Sequence, residues 1–258
     1  MSRPIRVERI IDQNYKLPKD ISNRLDYVYL ILMICRLLVN EDKQYIPNPK
    51  EKEKVSTPFL RVVEENLRNR AYVFLARDKF FSIFFPFRIY SDKVSGKVSI
   101  YYEASNILDD VTLSECISFK EDMTDKKNGP VAEKGKSYNE VVLDDTYSDK
   151  TYKVMNMLML AEPCYVRYDH DLKSKNQRIH PIDHMDVNFN KLGTFKLGLR
   201  GRVNPDGFES YLSPDTDVLF CNVGSPKYYN KQKTLRDIRQ KSKAKYRFSH
   251  KKKRKKNV

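Results

Sequence analysis

CYVRYDHDLKSKNQRIHPIDHMDVNF, Cys164 to Phe189, decides how the second half of this chain folds. Three of its four histidines, His170, His180 and His184, fall inside this stretch. Successive side chains of a strand point to opposite faces. In CYVRYD that period sets Cys164, Val166 and Tyr168 against Tyr165, Arg167 and Asp169. In HMDVNF it sets Met185, Val187 and Phe189 against His184, Asp186 and Asn188. The next stretch, TFKLGLRGR from Thr194 to Arg202, alternates in the same way: Phe195, Leu197 and Leu199 are apolar, and Lys196, Arg200 and Arg202 are basic. Three such strands pair as a meander only with their polar faces aligned, because a slip of one residue buries charge. The predicted polar surface collects Arg167, Asp169, His184, Asp186, Asn188, Lys196 and Arg200, with His180 at the end of the long loop before the second strand. An antiparallel sheet commonly keeps one face in water, so a plain solvated surface fits this pattern too. The long loop adds weight to a functional one.

Upstream, DISNRLDYVYLILMICRLLVN (Asp20–Asn40) reads as a helix capped by Asp20, apolar nearly all round and therefore buried. TPFLRVVEENLRNR (Thr57–Arg70) reads as a second helix, with Thr57 as cap, Pro58 in the first turn and a stripe of Phe59, Val62, Val63 and Leu67. AYVFLAR (Ala71–Arg77), KFFSIFFPFRIY (Lys79–Tyr90) and KVSIYYEA (Lys97–Ala104) are rich in aromatic and β-branched residues and read as strands, with Pro86 forcing an edge or a bulge. VTLSECISFKE (Val111–Glu121) reads as a further strand, and MTDKKNGPVAEKGKSYN (Met123–Asn139) as a polar loop. SDKTYKVMNMLMLA (Ser148–Ala161) reads as a helix with Tyr152, Met155, Met159 and Leu160 on its apolar face, the methionines serving packing. The predicted fold is α+β: N-terminal helices packed on a mostly antiparallel sheet, with a basic C-terminal tail.

Charge is unevenly placed. The whole chain carries 49 Lys and Arg against 34 Asp and Glu. Residues 227–258 hold 15 of those cations and one acid, Asp237, so the body is close to neutral. The expected organisation is a single domain over residues 1–226 and a tail over 227–258. A block such as HKKKRKKNV repels itself and neutralises phosphates when it meets a polyanion. Arg236, Arg239, Lys241, Lys243, Lys245, Arg247, Lys251, Lys252, Lys253 and Arg254 are the expected nucleic-acid contacts there, with Tyr246 and Phe248 available for base stacking. A solubilising tail is the plainer alternative. Lys196, Arg200 and Arg202 extend the expected contacts onto the sheet.

Four cysteines with no C-x-x-C pair, most among apolar neighbours, read as free buried thiols in a reducing, cytoplasmic compartment. The longest apolar run, Tyr27 to Cys35, is too short to cross a bilayer, and no signal-peptide core is present, so no membrane partner is expected. P-loop, dinucleotide, cysteine-knuckle, nucleophile-elbow and kinase signatures are all absent from the sequence.

Three chemistries fit the histidine stretch. In the first, phosphodiester cleavage without metal, His180 and His184 serve as acid and base, Arg167 holds phosphate and Asp169 orients a histidine. The second is a divalent-metal site from His180, His184 and Asp169 or Asp186. The third is phosphate binding without chemistry. Metal-independent nuclease stands ahead of metal-dependent among the enzyme readings, no cofactor is required, and RNA is the favoured nucleic acid. Whether the chain catalyses at all is left open at this point.

RYD, HPIDHMDVN, a later arginine and NPDGF resemble a bacterial family known only as a domain of unknown function, with an R-[FY]-[DE] strand, H-P-x-x-H and R-x-x-P-x-x-F. Arg167, Asp169, His180, Pro181, His184, Asn188, Arg202, Pro205 and Phe208 carry the resemblance. A looser one, in R-Y-D and the paired histidines, is to TumE-type toxins. The stretch between Asn188 and Arg202 is longer than the family pattern. The resemblance covers Tyr165 to Phe208 and implies a bacterial or mobile-element setting, where toxin and antiviral-defence roles are common, with a partner protein from the same operon. The expectation is a nucleic-acid-directed toxin or defence protein. The alternative is a non-catalytic nucleic-acid-binding component of a defence or ribonucleoprotein complex.

Overall fold

The computed structural model describes residues 5–12, 15, 17–18, 21–39, 57–65, 68–76, 78–92, 94–124, 134–173, 180–189 and 193–213. One compact unit ends at Leu212. Residues 214–258 lie outside the described residues, and with them the domain boundary expected at residue 226 and every tail residue named above.

The fold is α+β. Seven strands form one sheet: β1 (Ile5–Ile10), β2 (Phe59–Glu65), β3 (Arg68–Ala76), β4 (Lys79–Phe84), β7 (Val166–His170), β8 (Asp183–Val187) and β9 (Phe195–Gly198), in that spatial order. Every neighbouring pair is antiparallel. β5 (Arg88–Ser91) and β6 (Val98–Tyr101) make a separate two-stranded sheet. The helices are α1 (Arg24–Val39), α2 (Asp110–Asp122), α3 (Tyr138–Leu143), α4 (Asp149–Leu160) and α5 (Pro205–Leu212).

Two expected elements change type. Thr57–Arg70 is not a helix: Phe59–Glu65 is β2, and Arg68–Arg70 opens β3. The reason is two-sided burial. Leu60 and Val62 enter one apolar cluster, and Phe59 and Val63 enter another. A strand covered on both faces shows no clean alternation, so its apolar residues also fit a helical stripe. Val111–Glu121 is not a strand but most of α2, started by Asp109, whose side chain accepts from Thr112 N–H at 2.7 Å. Leu113, Cys116 and Phe119 are buried at three-residue spacing, which is a helical face. α1 forms but starts later than read, at Arg24, with Ile21–Asn23 outside it and Asn23 taking the capping role: its Oδ1 accepts from Asp26 N–H at 2.9 Å. Asp20 is outside the described residues. α4 buries Val154, Met155 and Leu158, whereas Leu160 is 75% exposed. Pro86 falls where the chain leaves the large sheet, between β4 and β5. No helix among the described residues is long and apolar enough to cross a membrane.

Cross-strand partners share a face. Leu60, Val62, Val73, Phe81 and Ile83 share one buried cluster with α1, α2 and α4 side chains such as Leu30, Phe119 and Met155. On the reverse face Phe59, Phe74, Phe80, Tyr168 and Met185 cluster with Phe208 of α5. Phe81 pairs with Arg167 in register. The face that is apolar over β2–β4 is therefore charged over β7–β9.

Candidate active site

The meander β7–β8–β9 forms with its polar faces aligned as expected: Arg167 faces Asp186, which faces Lys196, and Asp169 faces His184, which faces Gly198. The alternating polar residues of three strands thus meet on one face. Arg167 donates through Nε to Asp169 Oδ2 at 2.6 Å and through a terminal nitrogen to Asp186 Oδ2 at 2.7 Å. Lys196 Nζ donates to Asp186 Oδ1 at 2.6 Å and lies 3.2 Å from His184 Nε2. Two carboxylates are thereby matched by two cations in a setting where Asp186 is 4% exposed and His184 only 1%. Charges this buried need such pairing.

His184 Nδ1 lies 2.9 Å from the carbonyl oxygen of Pro181. A carbonyl only accepts, so Nδ1 carries the proton and the Nε2 lone pair points to Lys196. Burial, and next the Lys196 charge, hold the His184 imidazole below its ordinary pKa. At neutral pH this ring is a neutral base. His180 stacks edge-on against it, ring centroids 4.5 Å apart. His180 Nδ1 is buried with no hydrogen-bond partner.

The expected site residues divide. His180, His184, Arg167, Asp169 and Lys196 come together, joined by Asp186. Asp169 lies 3.9 Å from His184 Nε2 but 2.6 Å from Arg167 Nε, so it holds the arginine more closely than the histidine. Asn188 leaves the expected face: with φ 66° it ends β8, and its Nδ2 donates to Gly193 O at 3.3 Å. Arg200 is exposed beyond β9, and Arg202 pairs with Asp78 at the β3–β4 turn. Pro205 opens α5, and Phe208 is fully buried in the reverse-face core. The segment R-x-x-P-x-x-F therefore packs away from the cluster. Cys35 and Cys116 are buried as expected, but Cys164 is exposed at φ 45°; Cys221 is outside the described residues.

Two features escaped the sequence reading. Gly198 sits under Pro181, and a Cβ there would come within 2.9 Å of the Pro181 ring. An isolated glycine in a strand pattern signals such an approach. On the reverse face Asp183 Oδ1 accepts from Tyr168 Oη at 2.7 Å and lies 2.7 Å from His170 Nδ1. His170, one of the three histidines in the stretch, thus faces away from the other two.

No protein-family model, no curated protein and no solved structure matches the chain. The resemblance described above stands on its residues alone.

Proposed function

We propose that the chain cleaves RNA phosphodiesters at the Arg167–Asp169–His184–Asp186–Lys196 cluster, without a metal ion, in a bacterial toxin or antiviral-defence setting. One observation carries this reading: a buried, neutral imidazole has its Nε2 lone pair aimed at an ammonium that can bind phosphate. Arg167 and Lys196 take the phosphate oxygens, and the developing negative charge is met by both. As Lys196 turns to the phosphate it releases His184 Nε2. That nitrogen accepts the proton of the substrate 2′-hydroxyl while the 2′-oxygen bonds to phosphorus. The phosphorus–5′-oxygen bond breaks, and His180 donates a proton to the leaving oxygen. The products are a 2′,3′-cyclic phosphate and a 5′-hydroxyl, so no water or oxidant enters. Asp169 and Asp186 hold the two cations in place. Arg200 and the basic tail residues lengthen the contact along the backbone.

The test is an end-labelled oligonucleotide in EDTA, once as RNA and once with a single 2′-deoxy residue. Cleavage at every site but the deoxy one, leaving cyclic phosphate ends, supports the reaction; equal cutting at the deoxy site contradicts it.

A second reading has its own observation. Both acids and both cations of the cluster pair with one another, which is what a purely structural polar knot requires. The chain is then a non-catalytic nucleic-acid-binding component of a larger complex. Removing residues 227–258 would abolish its RNA binding, whereas an enzyme keeps turnover on short RNA.

A further inference from the structure

The carboxylates of Asp169 and Asp186 and the imidazole of His184 offer three ligand atoms within 4.8 Å of one another. His184 Nε2 lies 3.9 Å from Asp169 Oδ2 and 4.0 Å from Asp186 Oδ1. Nitrogen and oxygen ligands of tetrahedral zinc, at about 2.0–2.2 Å from the ion, stand roughly 3.4 Å apart, so each carboxylate closes on His184 by about half an ångström and the widest separation in the set by up to about 1.4 Å. Its surroundings are those of a metal site. Pro181 O accepts from His184 Nδ1–H, which fixes the tautomer that leaves Nε2 as the ligand atom. Arg167 bridges both carboxylates from outside and holds their orientation. Two of the three ligand atoms already face the chain's own cation: Lys196 Nζ lies 2.6 Å from Asp186 Oδ1 and 3.2 Å from His184 Nε2. The Lys196 side chain is 32% exposed, so its ammonium has a route to solvent.

We propose that Asp169, His184 and Asp186 form a divalent-metal site of the zinc class that Lys196 keeps closed, and that metal entering in place of the ammonium inhibits the chain. The inhibitory consequence rests on the proposed RNA cleavage, because the ion ties up the Nε2 lone pair; the binding itself does not.

Full-length protein is titrated with Co2+, a visible-absorbing stand-in for zinc, as wild type, Lys196→Met and Lys196→Met with Asp186→Asn. One ion per chain is expected in Lys196→Met. Affinity in the wild type is lower by on the order of 10- to 100-fold, because the ammonium must be displaced. The double variant loses the site. Lys196→Met binding no more tightly than wild type overturns the proposal, as does tight binding that survives Asp186→Asn. Lys196→Gln replaces Lys196→Met if circular dichroism shows the latter unfolded. If neither folds, the wild-type titration against Asp186→Asn decides: weak binding lost on that change supports the site, and unchanged binding overturns it. Added Zn2+ is expected to slow wild-type cleavage. A protein with Lys196-controlled metal binding and no RNA cleavage keeps the metal site and loses the reaction. One that cleaves RNA without such binding does the converse.

Discussion

His184 is constrained through both ring nitrogens, and each constraint makes a separate prediction. Through Nδ1 it depends on Pro181, and Pro181 depends on the absent side chain of Gly198. Gly198→Ala pushes a methyl group against the Pro181 ring, so the 180–184 turn shifts. Cleavage is expected to fall at least tenfold while urea stability changes by only about 1 kcal/mol. A variant with wild-type turnover removes Pro181 from the account. Through Nε2 the ring sits beside Lys196 and stays neutral, with its pKa held down in the folded protein. The unfolded chain, with an ordinary histidine near pH 6.5, then binds the extra proton first as pH falls. Stability contributed by neutral His184 is therefore complete above about pH 6.5 and declines below it. His184→Gln should flatten that acid-side slope in urea midpoints measured from pH 5 to 7. Arg167 is one of the two cations that hold Asp186. Arg167→Met leaves a buried carboxylate with Lys196 alone, which costs about 2–3 kcal/mol. That these residues share a face was legible because their alternation is clean; that Arg167 bonds both carboxylates was not. The Pro181 carbonyl was not legible, since a backbone acceptor leaves no mark in the side-chain pattern, and Gly198 signalled a close approach without naming Pro181 as its partner.

At the scale of elements, legibility followed one-sidedness. β7, β8 and β9 each show one polar and one apolar face, and the alignment of their polar faces could be read from that, whereas the residue-by-residue register could not, because a shift of two residues keeps the faces aligned. β2 is covered on both faces, and its period was lost. α2 failed in the opposite direction: Val111, Ile117 and Phe119 favour strands by type, while the Asp109 cap and the spacing of Leu113, Cys116 and Phe119 decide the helix. α5 is fixed by packing rather than by composition. Phe208 lies against Tyr72 and Phe80 at centroid distances of 6.2 and 6.0 Å. Arg61, over the Phe59 and Phe74 rings, bonds Glu8 at 2.5 Å and Glu209 of α5 at 2.6 Å. Phe208→Ala should destabilise the protein by about 3–5 kcal/mol in urea. Because α5 lies on the reverse face from His184, the cleavage rate per folded molecule should hold. A selective loss of rate would instead tie α5 to the reaction.

For the whole molecule, charge is divided between a nearly neutral body and a strongly basic C-terminal segment. That division separates binding from chemistry in the proposed account. Removing residues 227–258 should weaken RNA binding and flatten its salt dependence, since each lost phosphate contact lowers the slope by about 0.7 for a single strand. Turnover of a short RNA at saturating concentration should persist. The central claim is that His184 accepts the proton from RNA. The measurement that tests it most directly is single-turnover cleavage of an end-labelled RNA in EDTA by wild type and by His184→Gln, with folding verified by circular dichroism and RNA binding by gel shift. The account predicts cleavage by the wild type, a loss of at least a hundredfold in the variant, and binding unchanged in both. Equal cleavage by a folded His184→Gln protein, or no cleavage by the wild type despite binding, would contradict it.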